Sequence, residues 1–188
     1  MNSSVINHHI KELDTQYPSN YTVLDFETTG LDPYSDQIIQ IGAFKYRNFR
    51  HTDEFVTLVN PCVQLSERTI TVTGITDNEV TKAPYIYELI GALKDFIGDD
   101  VIIAHYALFD IRFYITNLQR YSFSVKDITY VDTVSMAREF IKGVENYKLP
   151  TLKAYLNINA KSHLADQDCY ACNEVYKYCV KIVRRTNK

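Results

Sequence analysis

The alternation of apolar and polar residues predicts a strand-rich first third of the chain. Residues 21–27, 37–46 and 52–59 are rich in β-branched and aromatic residues, and each run is followed by turn-forming residues. The first run leads into a tight turn that ends at Gly30, and residues 47–50 indicate a hairpin turn. We expect the three strands to form an antiparallel meander.

The rest of the chain predicts strands that alternate with helices. A capping box at Thr76 indicates a short helix, and a longer one with regularly spaced apolar residues begins at Pro84 and ends at Gly98. The apolar run 101–104 is typical of a buried parallel strand, and 128–131 is a further short strand. Further helices are predicted at 107–120, 133–140, 149–156 and 164–183. The class is therefore α/β, with a mixed five-stranded sheet flanked by helices.

Length and composition indicate one ordinary globular domain. The chain has 188 residues, 46% of them hydrophobic, and a net charge of −3, which neither suggests nor excludes a nucleic-acid partner. We expect an N-terminal arm or short helix at 1–20, a single domain at 21–183 with a connector before the capping box, and a short basic tail at 184–188. No apolar run reaches the length of a membrane span, so no membrane partner is expected.

The four cysteines do not form an obvious zinc or disulfide framework. Cys169 and Cys172 make a C-x-x-C pair, which could be half of a zinc site or a redox motif. The pair lies in a strongly helical segment without a second pair, so we interpret it as two thiols on one helix. Without a secretory signal, a reducing cytoplasm is the expected location.

Two carboxylates mark the first strand as a candidate metal site. Asp25 and Glu27 are two residues apart, so they point to the same face of the strand. Two carboxylates on a strand apolar enough to be central repel each other and are costly to bury, and Mg²⁺ or Mn²⁺ would remove that cost. The alternative is an edge strand whose acidic residues face water.

Three further residues could complete such a site. Asp110 lies in the first turns of the helix after the apolar strand, where open α/β sheets place their sites, although the helix dipole alone would favour an acid there. Asp168 lies near the start of the last helix, and His163 precedes it by five residues, which places the histidine in the preceding loop. Either residue could instead be a solvated surface group.

Two other polar residues have simpler interpretations. His105 is interpreted as a satisfied core histidine. Asp132 stands at the end of a strand and could be a fifth ligand, but we favour an N-cap for the helix that begins at Thr133.

The candidate residues occur in three ordered motifs. They are Asp25-x-Glu27-Thr28-Thr29-Gly30, His105-x-Ala107-x-Phe109-Asp110 and His163-x-Ala165-x-x-Asp168. Together with Thr73-Gly74-Ile75-Thr76 and Tyr147-Lys148-Leu149-Pro150-Thr151-Leu152, this set resembles the DEDDh branch of the DnaQ-like 3′–5′ exonucleases, which have a ribonuclease H-like fold. The resemblance covers about residues 21 to 180. The family includes the proofreading epsilon subunit of DNA polymerase III.

The resemblance implies a two-metal nuclease. The carboxylates that would hold two Mg²⁺ or Mn²⁺ ions, about 4 Å apart, are Asp25, Glu27, Asp110 and Asp168. His163 would be the general base, a task that suits an imidazole because it titrates near neutrality. The implied reaction removes nucleoside 5′-monophosphates from 3′ ends of DNA.

The resemblance also implies residues that contact the substrate. The backbone around Thr28, Thr29 and Leu31 would meet the 3′-terminal nucleotide, and Phe109 would pack near the terminal bases. Tyr106 stands where many family members have asparagine. Because a phenol is much larger than an amide, the rate and substrate preference are open, although all four metal ligands are retained.

Other interpretations of the same motifs remain. An enzyme of this fold could instead trim RNA 3′ ends, or the chain could be an inactive nucleic-acid-binding module, which retention of all five catalytic positions disfavours. No docking tail is visible after the last helix, so we expect a free-standing nuclease acting on single-stranded DNA, with a polymerase partner possible. Lys148, Lys153 and Lys161 lie on the approach to His163 and could steer the phosphate backbone, or form a solvated basic surface.

Overall fold

The computed structural model describes residues 10–13 and 17–186. The strands are β1 (Ile10–Glu12), β2 (Tyr21–Thr28), β3 (Ile38–Arg47), β4 (Arg50–Leu58), β5 (Ile102–Ala104) and β6 (Ile128–Asp132). The helices are α1 (Glu67–Thr73), α2 (Asp77–Val80), α3 (Ile86–Ile97), α4 (Leu108–Arg120), α5 (Thr133–Phe140), α6 (Leu149–Leu156) and α7 (Ala165–Thr186).

The described strands form one mixed sheet in the order β1-β6-β5-β2-β3-β4. Strands β2, β3 and β4 pair antiparallel, which confirms the predicted meander, and β5 and β6 continue the sheet in parallel with β2. The sheet has six strands, one more than predicted, because β1 pairs in parallel with β6. Three residues are too few to show an alternating pattern, so this edge strand was not visible in the sequence.

Within the predicted N-terminal arm, residues 10–12 therefore form a strand, where the sequence also allowed a short helix. Ile10 packs against the main core, and its partner in β6 is Ile128. Val5 and Ile6, which could have contributed to such a helix, lie outside the described residues.

The two faces of the sheet are covered by different helices. Leu24 and Phe26 of β2 point into a core with α3 and α4, where Ile90 and Phe113 are buried. Val23, next in the alternation, points to the other face, where residues of α5, α6 and α7 pack. Asp25 and Glu27 share the face of Val23, so the alternation of β2 directs both carboxylates toward the side of α7.

Helix α1 lies in the segment interpreted as a connector. Its residues are mostly β-branched, which lowers helix propensity. The helix forms because its ends are capped: the Ser66 side chain accepts a hydrogen bond from Thr69 N–H, and Gly74 closes it with φ +72°. The two caps thus stabilise the helix by more than its low helix propensity destabilises it.

The last helix continues beyond the predicted boundary at residue 183. Helix α7 extends to Thr186, and Arg184 lies 4.7 Å from the centre of the Phe49 ring. The first part of the expected basic tail is thus helical. Cation–π contact with Phe49 gives this last turn a packing partner.

Gly42 sets the distance between β3 and the start of α7. A Cβ atom at this position would lie 2.5 Å from the carbonyl oxygen of Ala165, closer than any side chain allows. Gly42 is paired with Asp25 across the sheet, and its carbonyl accepts a hydrogen bond from Cys169 Sγ at 3.2 Å. The backbone of α7 therefore lies directly on the sheet, next to the first carboxylate.

The C-x-x-C pair is part of this packing. Cys169 and Cys172 are both free and buried on α7, which confirms the interpretation as helical thiols. Among the residues that the structure describes, no helix is long and apolar enough to span a membrane.

Candidate active site

The five predicted catalytic side chains surround one open cavity of about 460 Å³. Strand β2 supplies two of them, α4 and α7 supply one each, and the loop before α7 supplies the histidine. The cavity is lined by Asp25, Phe26, Glu27, His105, Tyr106, Phe109, Asp110, Leu149, His163 and Asp168. Residues up to 143 positions apart in the sequence (Asp25 and Asp168) thus meet at one end of the sheet.

Asp110 is fixed by a hydrogen bond to the central strand. Its Oδ1 atom accepts the backbone N–H of Phe26 at 2.9 Å, and the residue is buried. Phe26 lies between Asp25 and Glu27 in the sequence, so this single bond joins the start of α4 to the middle of the acidic motif. This bond consequently fixes the position of the Asp110 carboxylate relative to those of Asp25 and Glu27.

Asp168 is held by the loop that precedes its helix. Its Oδ2 atom accepts the backbone N–H of His163 at 2.7 Å, and the backbone N–H of Ala165 donates to Gln40 on β3 at 3.0 Å. Its Oδ1 atom is buried and has no hydrogen-bond partner among the described residues, although Lys153 Nζ lies 3.6 Å away. Asp168 therefore has one hydrogen-bonded oxygen and one oxygen that is ion-paired with Lys153 but accepts no hydrogen bond.

His163 reaches the carboxylates from an exposed position in the loop. It adopts a left-handed backbone conformation with φ +60°, which is uncommon for a residue other than glycine. One ligand atom from each of Glu27, His163 and Asp168 lies within 4.8 Å of the others. The imidazole is thus close enough to share an ion or a water molecule with two of the acids.

Burial disfavours the charged form of the two acids on β2. Burial raises the pKa of Asp25 well above its ordinary value, and the charges of Asp110 and Asp168 raise it further. Burial and the charge of Asp168 raise the pKa of Glu27 to about 7. Without a bound cation, these carboxyl groups repel one another and favour protonation.

The other two acids show the same effect with partial compensation. Burial raises the pKa of Asp110, against the hydrogen bond from Phe26 N–H. Burial also raises the pKa of Asp168, against the hydrogen bond from His163 N–H and the charge of Lys153. The compensation is incomplete in both cases, so the positive charge of Lys153 does not offset the burial of the four acids.

This donor set fits divalent cations. Mg²⁺ and Mn²⁺ prefer carboxylate oxygens, and the site offers carboxylates from three elements of the chain, including the Oδ1 of Asp168, which accepts no hydrogen bond. A cation would supply the charge that buried, mutually repelling acids lack. The residues that could hold it are Asp25, Glu27, Asp110 and Asp168.

The predicted substrate-contact residues lie at this cavity and at a second one beside it. The second cavity, of about 410 Å³, shares Phe26, Glu27 and Phe109 with the first. Thr28, Thr29 and Leu31 line it on one side, with Leu31 79% exposed. The opposite wall belongs to α1 and its N-cap and is formed by Ser66, Arg68, Thr69, Val72 and Thr73. The two cavities together form a groove that ends at the carboxylates.

Tyr106 lies at the rim of the catalytic cavity. It is 48% exposed, and its backbone is left-handed with φ +61°. Its N–H donates to Asp132 Oδ1 at 3.2 Å, and the same oxygen accepts Val134 N–H at 2.8 Å. Asp132 is thus the N-cap of α5, as predicted, and also holds the strained backbone of Tyr106.

His105 supports the site without taking part in it. Its ring nitrogens lie 2.9 Å from Thr133 Oγ1 and 3.0 Å from the Tyr147 carbonyl oxygen. Burial lowers its pKa to about 4, so the ring is neutral and donates from Nε2 to the carbonyl. The interpretation as a satisfied core histidine is confirmed.

Sequence reasoning was wrong about Lys153 and missed two neighbours of the site. Lys153 does not lie on the surface approach to His163: it is buried, while Lys148 and Lys161 are more exposed. Ser162 binds the Lys153 ammonium, and Arg68 lines the groove. Lys153 follows Leu149 by four residues and so shares its buried helix face, a signal that could have revealed it.

The chain belongs to the exonuclease family of the ribonuclease T type, whose family model matches residues 22–176. This confirms the resemblance drawn from the motifs at the level of family.

Known proteins support the assignment in sequence and in fold. DNA polymerase III PolC-type from Caldanaerobacter subterraneus subsp. tengcongensis is 33% identical over 166 residues, which cover 88% of this chain and 12% of that protein. The chain thus spans about an eighth of that relative's length. The structure of E. coli exonuclease I with a dA16 oligonucleotide has TM-score 0.78 at 18% identity and covers 89% of this chain and 42% of that one. The structure of exonuclease X with 5′ overhanging duplex DNA has TM-score 0.61 at 20% identity, and the match covers 89% of this chain and 93% of that one.

Proposed function

We propose that this chain is a 3′–5′ exonuclease that hydrolyses DNA from its 3′ ends and releases nucleoside 5′-monophosphates. The observation that carries the proposal is the convergence of four carboxylates and one histidine around a single cavity at the end of a groove. The family supports hydrolysis of a nucleic acid from an end. The polarity, the products and the role of each residue are part of the proposal.

In this proposal the chain contributes a metal site and a base. When bound, two Mg²⁺ or Mn²⁺ ions on the four carboxylates would neutralise the scissile phosphate and lower the pKa of the attacking water. His163 would accept the water proton at a ring nitrogen. Its backbone hydrogen bond to Asp168 keeps the imidazole beside the carboxylates while leaving both ring nitrogens free of that bond.

The groove supports substrate entry from an end rather than from the middle of a chain. Its outer part would hold the 3′-terminal nucleotide between Leu31 and the wall of α1, with Phe109 at the junction of the two cavities. The terminal phosphodiester would then reach the carboxylates. Tyr106, which is exposed at the rim, offers a ring on which a base of a single strand would stack.

The biological setting is also a proposal. The PolC-type relatives are DNA polymerases by name, and exonuclease I is solved with a dA16 oligonucleotide, so DNA is the favoured polymer. Because the matched segment is a small part of those relatives, a proofreading role beside a polymerase is inferred for this chain by analogy. We place this activity in the cytoplasm, where bacterial DNA is replicated.

The proposal is tested by digesting single-stranded DNA and RNA of one sequence, each labelled at the 5′ end. Every reaction is run with Mg²⁺, with Mn²⁺ and with EDTA. A ladder that shortens from the 3′ end, requires the metal and is faster on DNA is the expected result. Immediate release of the labelled nucleotide would show the opposite polarity, and a faster RNA ladder would assign the chain to RNA trimming.

Variants connect the activity to the site. Asp25→Asn and His163→Asn are expected to lose most of the ladder, whereas Asp53→Asn and His51→Ala, which change exposed residues of β4, retain it. Shortening of neither polymer with any metal would contradict the proposal and favour a binding module.

A further inference from the structure

Lys153 is a buried lysine on α6. Only 5% of the residue is exposed, although lysine is almost never buried unless it is paired. It lies on the helix face that also carries Leu149 and Leu152, both of which are buried against the core shared with α7. Its ammonium therefore points away from solvent and toward the start of α7.

The ammonium of Lys153 contacts two parts of the site at once. Its Nζ atom donates to Ser162 Oγ at 2.9 Å and lies 3.6 Å from Asp168 Oδ1. Ser162 directly precedes His163, and the other oxygen of Asp168 accepts His163 N–H. The lysine, the aspartate and the histidine loop thus form a closed chain of contacts.

Stability alone does not explain a lysine here. Replacing both members of a buried ion pair by apolar residues of similar volume is often neutral or stabilising, so burial of a Lys153–Asp168 pair is not required for the stability of the fold. Contact with a nucleic acid does not explain it either, because the ammonium is enclosed and Lys153 does not line the catalytic cavity. The remaining explanation for the lysine is that it holds Ser162 and Asp168 in place.

We infer that Lys153 is a positioning residue of the nuclease site, which fixes the carboxylate of Asp168 and the loop of His163 through one ammonium. This inference rests on the proposed function for its kinetic consequence. Its structural half, the fixing of the loop, does not depend on that function. Because the proposed base and one proposed ligand share this support, loss of Lys153 would loosen both together.

The structural half is tested by amide hydrogen exchange on the metal-free protein. In Lys153→Met, the segment 161–168 is expected to exchange at least about tenfold faster, because the His163 N–H bond to Asp168 opens more often. Exchange in β2 and β3 should be unchanged. Lys181→Met, which removes an exposed lysine of α7, is the matched control and should exchange like the wild type.

The kinetic half is tested by a split between kcat and KM. Lys153→Met is expected to lower kcat about 10- to 100-fold, in the range found for residues that orient metal ligands, and to leave KM for single-stranded DNA unchanged. Ser162→Ala removes one arm only and should lower kcat less. The double variant should be no slower than Lys153→Met, because Ser162 acts through the lysine.

The outcomes separate the inference from the proposed function. Unchanged exchange in 161–168, or a raised KM with unchanged kcat, overturns the inference. If Lys153→Met loosens the whole chain, Ser162→Ala decides: faster exchange confined to the loop supports the inference, and wild-type exchange overturns it. If the wild type degrades neither polymer, the proposed function fails, while the exchange measurement still decides whether Lys153 fixes the loop.

Discussion

The floor and the rim of the candidate site are built in different ways. The floor consists of Asp25, Glu27 and Asp110, which stand on β2 and in the first turn of α4, and none of the three has a left-handed backbone. The rim carries Tyr106 and His163, both exposed and both in the left-handed backbone region. The floor is positioned by the fold itself, whereas the rim is positioned by individual side chains.

The difference teaches where each part is vulnerable. The strain of the rim is held by carboxylates: Asp132 accepts the N–H of Tyr106, and Asp168 accepts the N–H of His163. The floor has no such strain, but its acids are buried close together and their pKa values are raised. We therefore expect substitutions in the floor to abolish catalysis, and substitutions in the rim to change the rate or the binding of substrate.

The largest expected effect is at the floor. Asp25→Asn should lower kcat by more than about a thousandfold, since it removes a charged ligand that no neighbour replaces. The same change relieves repulsion among buried acids, so the free energy of unfolding of the metal-free protein at neutral pH should rise. Single-turnover digestion and urea denaturation measure the two quantities. A rate within about tenfold of wild type would contradict the two-metal arrangement.

The next largest effect is expected at His163, the proposed base at the rim. His163→Asn should lower kcat by about a hundredfold, because a positioned general base typically contributes that much or more. Asparagine tolerates the left-handed backbone, so the loop and its bond to Asp168 should persist. Mn²⁺ binding should be nearly unchanged, in contrast to Asp25→Asn. A kcat close to that of wild type would exclude His163 as the base.

The protonation of the floor gives a pH dependence. Because burial raises the pKa of Glu27 from 4.5 to about 7, a cation must displace a proton below pH 7. Mn²⁺ affinity without nucleic acid should therefore rise by about tenfold per pH unit up to neutrality. Calorimetry in buffers of different ionisation enthalpy measures affinity and proton release together, and Glu27→Gln should lower the slope by the share of this one group.

The raised pKa of Glu27 also affects the stability of the metal-free protein, which should fall with rising pH where the metal affinity rises. Folding favours the protonated form of Glu27, so this group's stabilisation is present below pH 4.5 and is lost as pH rises to about 7. The free energy of unfolding without metal should accordingly fall across that window, and saturating Mn²⁺ should restore it at neutral pH. A metal-free stability that rises across the same window in wild type but not in Glu27→Gln would contradict the shift.

The smallest expected effect is at Tyr106. Tyr106→Asn should raise the free energy of unfolding by about 1 kcal/mol, because asparagine accepts the left-handed backbone more readily than tyrosine. It should also weaken single-strand binding by about 1 kcal/mol through loss of the ring. Tyr106→Phe keeps the ring and the strain, so both quantities should stay at wild-type values. Denaturation and fluorescence anisotropy distinguish the two variants.

The sequence predicted the parts of the molecule that depend on periodicity. The meander, the parallel strands and the positions of Asp25, Asp110 and Asp168 on regular elements follow from the repeat of two residues in a strand and of about 3.6 in a helix. The alternation of β2 even gives the face on which its acids lie. The residue pattern therefore predicted which elements carry these acids, whereas their grouping into one site came from the resemblance of the three motifs.

What was missed depends on individual contacts. Helix α1 forms through its caps against a β-branched sequence, and β1 is too short to carry a pattern. Lys153 was predicted to steer the phosphate backbone or to belong to a solvated basic surface, but it is buried, on the helix face that carries Leu149. No periodic signal encodes the left-handed backbones of Tyr106 and His163.

Gly42 has a consequence for how this site can change over time. The separation between the acids of β2 and the acid of α7 depends on the close approach of Gly42 to Ala165, where only small residues meet. Substitutions that repack the core can therefore accumulate on either side without altering the distance between the ligands. A side chain at position 42 would have to push α7 away from the sheet, and the acid of α7 would move with it.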